Sequence, residues 1–571
     1  MTMQKPFAIT LDPGSSLANK TGTWRTERPV YVDRLPPCNA QCPAGEDIQG
    51  WLFHAEGGDY EAAWRHLTRD NPFPAIMGRV CYHSCEGVCN RGRIDAPVGI
   101  NSVERFLGDE AIKRGWQFTP PTNESGKQVL IVGAGPSGMS AAYHLRRLGH
   151  GVTVMEAGPL MGGMMRFGIP KYRLPRDVLD AEMQRIVAMG IDVQLGARVA
   201  DIAQSMVDGG YDAAFLAVGA HIAKRAFIPA KDSAHILDAV SVLRSMAGAE
   251  GEGSQPMLGR RVVVYGGGNT AFDVARTARR LGATEAVIVY RRTRDKMPAH
   301  DFEVEEALQE GVMVKWLSTI TQAGDGALTI EKMVLDEQGR AQPTGEFETL
   351  AADSLVLALG QDVDLSLLDG VPGLELKDGV VQVDPATLMT GHPGLFAGGD
   401  MVPAERNVTV AVGHGKKAAR HIDAWLTAPP RSLRSLPPEG AQAALGRPGG
   451  DLAATPSAKH PLATFEHLNP WYYSDAPQTM RPQLDLARRT SSFDEVQGGL
   501  TEDNALFEAR RCLSCGNCFE CDNCYGVCPD NAVIKLGPGR RFEINLDYCK
   551  GCGMCAAECP CGAIEMVAET G

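Results

Sequence analysis

The chain has 571 residues, 44% of them hydrophobic and 22% charged, with a formal net charge of -13. Domains usually hold roughly 100 to 200 residues, so this length implies three to five units, and the ordinary composition excludes disorder over most of it. Acidity without a basic tract argues against nucleic acid, whose binding draws on Lys and Arg. No run of about 18 apolar residues suggests a membrane span, and Met1 to Thr10 lacks a basic stretch followed by an apolar core. The reading is a cytoplasmic protein, neither exported nor membrane-spanning.

Of the 16 cysteines, five lie from Cys38 to Cys89 and eleven from Cys512 to Cys561, with none between. Tight CxxC runs in a cytosolic chain point to metal rather than to disulfides. Both ends therefore read as metal modules around a cysteine-free middle.

In chain order, residues 1–28 are polar and lack periodicity, which reads as an arm. Ile48, Trp51, Leu52 and Ala55, then Tyr60, Ala63, Trp64 and Leu67, recur at helical spacing, and Val103 to Ile112 offers another helix. Residues 1–125 are expected to form a helical, cysteine-bearing domain, which the resemblance described below makes an iron–sulfur domain. From Lys127 a strand, glycine turn and helix recur to about Trp425, with strands such as Val262 to Tyr265, Ala286 to Tyr290 and Leu355 to Leu359. That alternation makes the middle α/β. One Rossmann-like unit is expected over 126–245 and 365–427, and a second over 246–364. Residues 428–463 are rich in Pro, Ala and Gly, and a linker is drawn over 428–500. A cysteine-dense domain, whose runs are read below as bacterial-type ferredoxin, is expected over 501–571.

Val129 to Gly138 is G-x-G-x-x-G between a strand and a helix, and the next strand, Val152 to Glu156, ends in an acid. Gly133 allows the tight turn, Gly135 lets the backbone approach a pyrophosphate, Gly138 permits close helix–strand packing, and Glu156 can accept from a ribose. Val262 to Ala271 repeats the device with Gly266, Gly268 and Ala271, with Asn269 and Thr270 at the helix start. Its second strand ends in Arg291-Arg292, a guanidinium pair that suits a 2′-phosphate, so NADP is preferred while NAD stays open. A third element, Thr390 to Asp400, places Gly399 and Asp400 after a short strand.

These two fingerprints, the stretch Met161 to Pro175 with Gly162 and Gly163, and Ala397-Gly-Gly-Asp400 together resemble the glutamate synthase small subunit. The same block occurs in the N-terminal half of dihydropyrimidine dehydrogenase and in the large subunit of the NADH-dependent ferredoxin:NADP oxidoreductase. The resemblance covers about residues 35–425. It implies that the first fingerprint binds FAD, that Asp400 holds its ribityl or pyrophosphate region, and that Gly162 to Pro170 lies near the isoalloxazine. It implies NADP(H) at the second fingerprint, where Tyr265 departs from the small aliphatic residue usual in the family.

Cys518, Cys521, Cys524 and Cys528-Pro, then Cys549, Cys552, Cys555 and Cys559-Pro, are two complete bacterial ferredoxin runs. In such runs the fourth cysteine crosses to the other cluster, so Cys559 should join the first trio and Cys528 the second. The stretch Phe542 to Met566 resembles the delta, ferredoxin-like subunit of 2-oxoacid:ferredoxin oxidoreductases, which implies a partner carrying thiamine diphosphate. Gly324-Asp-Gly326 lacks the Asn that the thiamine diphosphate signature needs, so that chemistry must sit on another chain.

Relatives such as the glutamate synthase small subunit carry two N-terminal clusters, the first opened by Arg-Cys-x2-Cys. Here Val30 and Asp33 stand where those two cysteines belong. The resemblance implies one intact N-terminal cluster on Cys42, Cys81, Cys85 and Glu104, and leaves Cys38 and Cys89 with half a site. Arg511-Cys512-Leu-Ser-Cys515 reproduces the absent motif at the far end, so Cys38, Cys89, Cys512 and Cys515 are expected to share a cluster. The total is three to four [4Fe-4S] clusters.

The functional expectation is an electron-transfer subunit between NAD(P)(H), FAD and clusters, with no side chain needed as acid or base in the hydride step, serving a 2-oxoacid oxidoreductase on other chains. Alternatives are a glutamate synthase small subunit, which lacks the ferredoxin tail, an NAD(P)H:ferredoxin oxidoreductase serving another partner, and a non-enzymatic scaffold.

Overall fold

The computed structural model describes residues 20–224, 226–230, 235–246, 255–427 and 460–569. The first unit is helical, built from Pro37–Gln41, Ile48–Glu56, Tyr60–Leu67, Pro74–Val80, Ser84–Gly87 and Ile100–Lys113. Asp47 and Asp59 cap two of these helices by accepting from Gly50 N and Ala62 N, which satisfies donors that a helix start leaves unpaired. Trp51, Trp64, Leu67 and Phe73 fill its core.

Two parallel sheets follow. The first runs in the order Leu395–Ala397, Ala213–Leu216, Gln128–Val132, Gly151–Glu156, Asp192–Leu195. Its central strand is buried on both faces, as the unbroken apolar run Val129 to Val132 requires. Helix Val408–Thr427 packs along helix Pro136–Arg147, with Gly415 against Ser137 O, where a Cβ would stand only 2.3 Å away. The second sheet runs in the order Met313–Lys315, Glu285–Val289, Arg261–Tyr265, Ser354–Leu357, Ile236–Asp238. A three-stranded antiparallel sheet, Ser318–Ala323, Ala327–Leu335 and Ala341–Ala351, shares a core with it through Val263, Val289, Ile320 and Ile330. The multidomain α/β class is thus observed. The strand Ile236–Asp238 lies before residue 246, where the sequence reading started this unit; three residues are too few to show a strand period.

The ferredoxin unit pairs Val533–Lys535 with Phe542–Ile544. Its last strand, Ile564–Ala568, pairs antiparallel with Glu27–Tyr31 at the other end of the chain. The expected N-terminal arm is therefore, from Lys20 on, fastened to this unit: Lys20 pairs with Asp547 and Arg25 with Glu569. Residues 1–19 and 428–459 lie outside the described residues. The expected linker over 428–500 differs from the structure beyond residue 459. Leu35 and Leu462 form a bridge, Val496 N donates to Tyr172 O, and Arg489 is buried against Glu310. Backbone hydrogen bonds, charged side chains and scattered apolar residues such as Ala463, Leu468 and Val496 anchor this strap, so no regular apolar period marks it.

Candidate functional site

The strand Gln128–Val132 delivers the chain to Gly133 at φ +107°, where a Cβ would stand 2.4 Å from Ala217 O. Helix Pro136–Arg147 then begins without a side-chain cap, leaving its first N–H groups for an anion. Ser137 Oγ is buried there without a hydrogen-bond partner. Both oxygens of Glu156 accept backbone N–H groups, from Ala134 and Gly158, each at 2.8 Å. Gly162 N donates to Ala134 O at 2.9 Å, and Gly163 folds over Gly135, where a Cβ would stand 2.9 Å from Gly135 Cα. Gly399, and with it Asp400, reaches the same turn, since a Cβ on Gly399 would lie 3.2 Å from Ser137 Cβ. Burial pushes the Asp400 carboxyl up to about 6. Gly399 N donates to His414 Nδ1 at 3.1 Å. Burial pushes His414 down to about 4, which leaves Nδ1 a neutral acceptor. The structure thus brings Gly133, Gly135, Gly138, Glu156, Gly162, Gly163, Gly399 and Asp400 to one turn.

At the second turn Gly266 has φ +153°, and a Cβ would stand 2.2 Å from Ala358 O. Nothing lies within 4 Å of a Cβ built on Gly268, so the mouth of helix Asn269–Arg280, with Thr270 half-buried in its first turn, is open. Tyr290 covers Gly267, and its hydroxyl donates to Lys296 O at 2.7 Å. Beyond it, Arg292 Nε is buried without a partner and Arg291 is exposed. Neither has an ion pair among the described residues, whereas nearby Arg294 pairs with Glu305. Tyr265 turns its hydroxyl to Thr319 Oγ1 at 2.6 Å, on the antiparallel sheet.

The contacts that join these turns escaped the sequence reading. Arg173, within the expected stretch Met161 to Pro175, bonds Asp273 Oδ2 at 2.9 Å and Glu303 Oε1 at 2.5 Å. Asn269 accepts from His300 N and donates to the hydroxyl of Tyr82, whose ring stacks on His300 at 3.5 Å between centroids. Tyr82 follows Cys81, and Thr409, on the helix packed along the first turn, donates to Cys81 Sγ at 3.3 Å. The only local hint was an aromatic residue beside a cysteine.

None of the sixteen cysteines is in a disulfide. Cys528, Cys549, Cys552 and Cys555 line one cavity, so the fourth cysteine of the first run sits with the second trio. Cys559 in turn lies close enough to Cys518, Cys521 and Cys524 to raise each of their thiols, after the larger effect of burial. Cys521 and Cys552 are exposed. In the helical unit, burial first pushes Cys42, Cys81 and Cys85 up, Cys81 to about 12, with Glu104 beside Cys81 adding to the rise. Glu104 itself is buried, with its Oε1 accepting from Asn71 at 2.8 Å. Cys38, Cys89, Cys512 and Cys515 line a second cavity. Among the described residues no three His, Cys, Asp or Glu side chains close on one point as a single ion requires. Thiols spaced around cavities suit a larger group, and iron would draw off the protons that burial holds on them.

A family described as pyridine nucleotide-disulphide oxidoreductase matches residues 124–415. Dihydropyrimidine dehydrogenase domain II, 4Fe-4S cluster, matches 25–116, and a 4Fe-4S binding domain matches 542–565. The chain is 36% identical over 519 residues to the NADP(+)-dependent formate dehydrogenase subunit beta of Moorella thermoacetica, covering 84% of this chain and 70% of that protein. It is 31% identical to the NADPH-Fe(3+) oxidoreductase subunit beta of Geobacter sulfurreducens, over 85% of this chain and 76% of the other. Against the small chain of glutamate synthase [NADPH] of Escherichia coli it is 33% identical, over 68% of this chain and 89% of that one.

Proposed function

Because the chain belongs to the pyridine nucleotide-disulphide oxidoreductase family, we propose that it is the NADP-linked electron-transfer subunit of a larger oxidoreductase. It exchanges electrons among NADP(H), FAD and [4Fe-4S] clusters. The observation that carries this reading is one connected frame: Thr409 ties the first turn to Cys81, and Tyr82, next in the chain, bonds Asn269 of the second.

The two dinucleotides supply hydride chemistry and the clusters supply single-electron chemistry when bound. The residues present fit them. The buried, unpartnered Ser137 Oγ and the uncapped N–H groups of helix Pro136–Arg147 suit the FAD pyrophosphate. Glu156 and Asp400 would accept from its sugar and ribityl hydroxyls, and Gly162 and Gly163 close over the turn. Gly266, Gly268, Asn269 and Thr270 hold the NADP pyrophosphate, and the unpaired Arg291 and Arg292 hold its 2′-phosphate. Cys42, Cys81, Cys85 and Glu104 hold one cubane. Cys518, Cys521, Cys524 and Cys559 hold another, and Cys549, Cys552, Cys555 and Cys528 a third. Cys521 and Cys552 are exposed, so the clusters these two sets would hold would be open to a partner on that side.

The finer reading gives that partner 2-oxoacid oxidation with thiamine diphosphate, supported by the ferredoxin stretch Phe542 to Met566. A second reading, a formate-oxidising partner, is favoured by the 36% identity to the Moorella subunit. The cytoplasm, which keeps thiols reduced, is the compartment this chemistry needs. Among the described residues no helix is long and apolar enough to cross a membrane. The test is to purify the native complex, identify its subunits, and follow NADP reduction with formate and with a panel of 2-oxoacids. Activity with a 2-oxoacid supports the first partner and activity with formate the second. A preparation without flavin absorbance or NADPH oxidation by an artificial dye overturns the electron-transfer reading.

A further inference from the structure

We infer that Cys38, Cys89, Cys512 and Cys515 hold a further [4Fe-4S] cluster whose four ligands come in equal number from the two ends of the chain. The inference rests on the iron–sulfur reading above and deepens it. The four thiols line one cavity whose other walls include Pro36, Leu52, Val98, Ile100 and Leu513. No carboxylate or imidazole shares that lining, so the donor set is purely thiolate, as zinc or an iron–sulfur cluster takes.

The framework around the cavity is built. Arg511 donates to Pro97 O at 2.9 Å, Ala96 O at 2.6 Å and Ala476 O at 2.8 Å, which locks the start of the Cys512 to Cys515 loop onto the helical unit. Gln49 Nε2 donates to Cys515 O at 3.2 Å, and Arg34 N donates to Gly516 O at 3.1 Å. Ser514 is held at φ +48°, a strained conformation for a residue with a side chain, and it turns the loop between the two cysteines.

Position favours a cubane over zinc. Cys38 lies four residues before Cys42, and Cys515 three residues before Cys518, so this site adjoins both the N-terminal cluster and a ferredoxin cluster. Gly516 N donating to Cys561 O at 2.6 Å fastens it to the ferredoxin unit. A redox-inert zinc would interrupt that path, whereas a cubane completes it. The four cubanes then use fifteen of the sixteen cysteines and leave Cys561.

Iron and acid-labile sulfide in the anaerobically purified full chain test the inference. About sixteen irons are expected, four per cubane. Cys512→Ser with Cys515→Ser should lose about four, Cys38→Ser with Cys89→Ser the same number, and the quadruple variant no more than either pair. Twelve irons in the wild type, one zinc beside twelve irons, or a quadruple variant lacking eight would overturn it. If the variants aggregate, alkylation of the wild type decides. All four thiols should resist iodoacetamide until a chelator strips the iron, and a Cys515 alkylated in the iron-replete chain refutes the site. Twelve irons in a flavin-bearing, NADPH-oxidising chain would remove this cluster alone and leave the electron-transfer reading standing.

Discussion

The two nucleotide turns share a backbone plan and differ in what surrounds it. At the first, neighbouring segments draw close to the turn: Glu156 is held by two backbone N–H groups, Gly163 folds over Gly135, and Gly399 lies beside Ser137. At the second, Gly268 faces open space, and beyond the strand stand Arg291 and Arg292, neither with an ion pair among the described residues. The third fingerprint position repeats the contrast. A Cβ at Gly138 would stand 1.9 Å from Gly133 O, whereas Ala271 carries a real methyl at the matching place. A closed turn suits a group that stays, and an open, cationic one suits a group that comes and goes.

The sharpest way to break that contrast is to put a methyl into each turn. Gly138→Ala must displace backbone, so it is expected to lose flavin and to destabilise the chain by about 1–3 kcal/mol, as overpacking does. Gly268→Ala should leave the melting temperature unchanged and raise the KM for NADPH. Flavin-to-protein absorbance and thermal unfolding check both, and equal behaviour of the two variants would erase the distinction. Next in size, Arg291→Ala with Arg292→Ala should raise the KM for NADPH by ~10 to 100-fold and leave that for NADH little changed, because charge-assisted bonds worth about 1.5–3 kcal/mol are lost. A wild type that prefers NADH would show that the pair does not read a phosphate.

The smallest effect concerns acid. An unfolded histidine titrates near 6.5, but burial lowers His414 to about 4. As pH falls, the unfolded chain takes the proton first, so this contribution is present above pH 6.5 and is lost as pH drops towards 4. Urea midpoints at pH 7 and pH 5 should therefore fall further apart in the wild type than in His414→Gln. Parallel shifts would mean that the Gly399 to His414 bond does not couple the first turn to pH.

Much of this molecule was legible because its chemistry is local. A glycine turn between strand and helix, or cysteines two residues apart, state their geometry within ten residues. The four-thiol cavity was legible through the family resemblance: against that pattern Cys38 and Cys89 lacked partners at one end while Cys512 and Cys515 were surplus at the other. What stayed hidden is long-range or polar. The bond of Tyr82 to Asn269 spans 187 residues with no shared pattern. The strap after His460 is held by groups such as Arg489 on Glu310 and Val496 N on Tyr172 O, which leave no periodicity. The pairing of Glu27–Tyr31 hid in a polar segment because only its partner strand supplies the alternation that a sheet edge needs.

That terminal pairing also sets an order in time. Glu27 meets Ala568 across 541 residues, and a ribosome adding about 5–20 residues per second takes roughly half a minute to two minutes to cover the interval. Throughout that time the strand Glu27–Tyr31 is an open edge, a template for pairing with any passing chain. The segment Glu27–Tyr31 thus leaves the ribosome well before the middle of the chain and is paired only after it. A nascent chain stalled before Ile564 carries a complete nucleotide-binding middle yet still presents a bare strand.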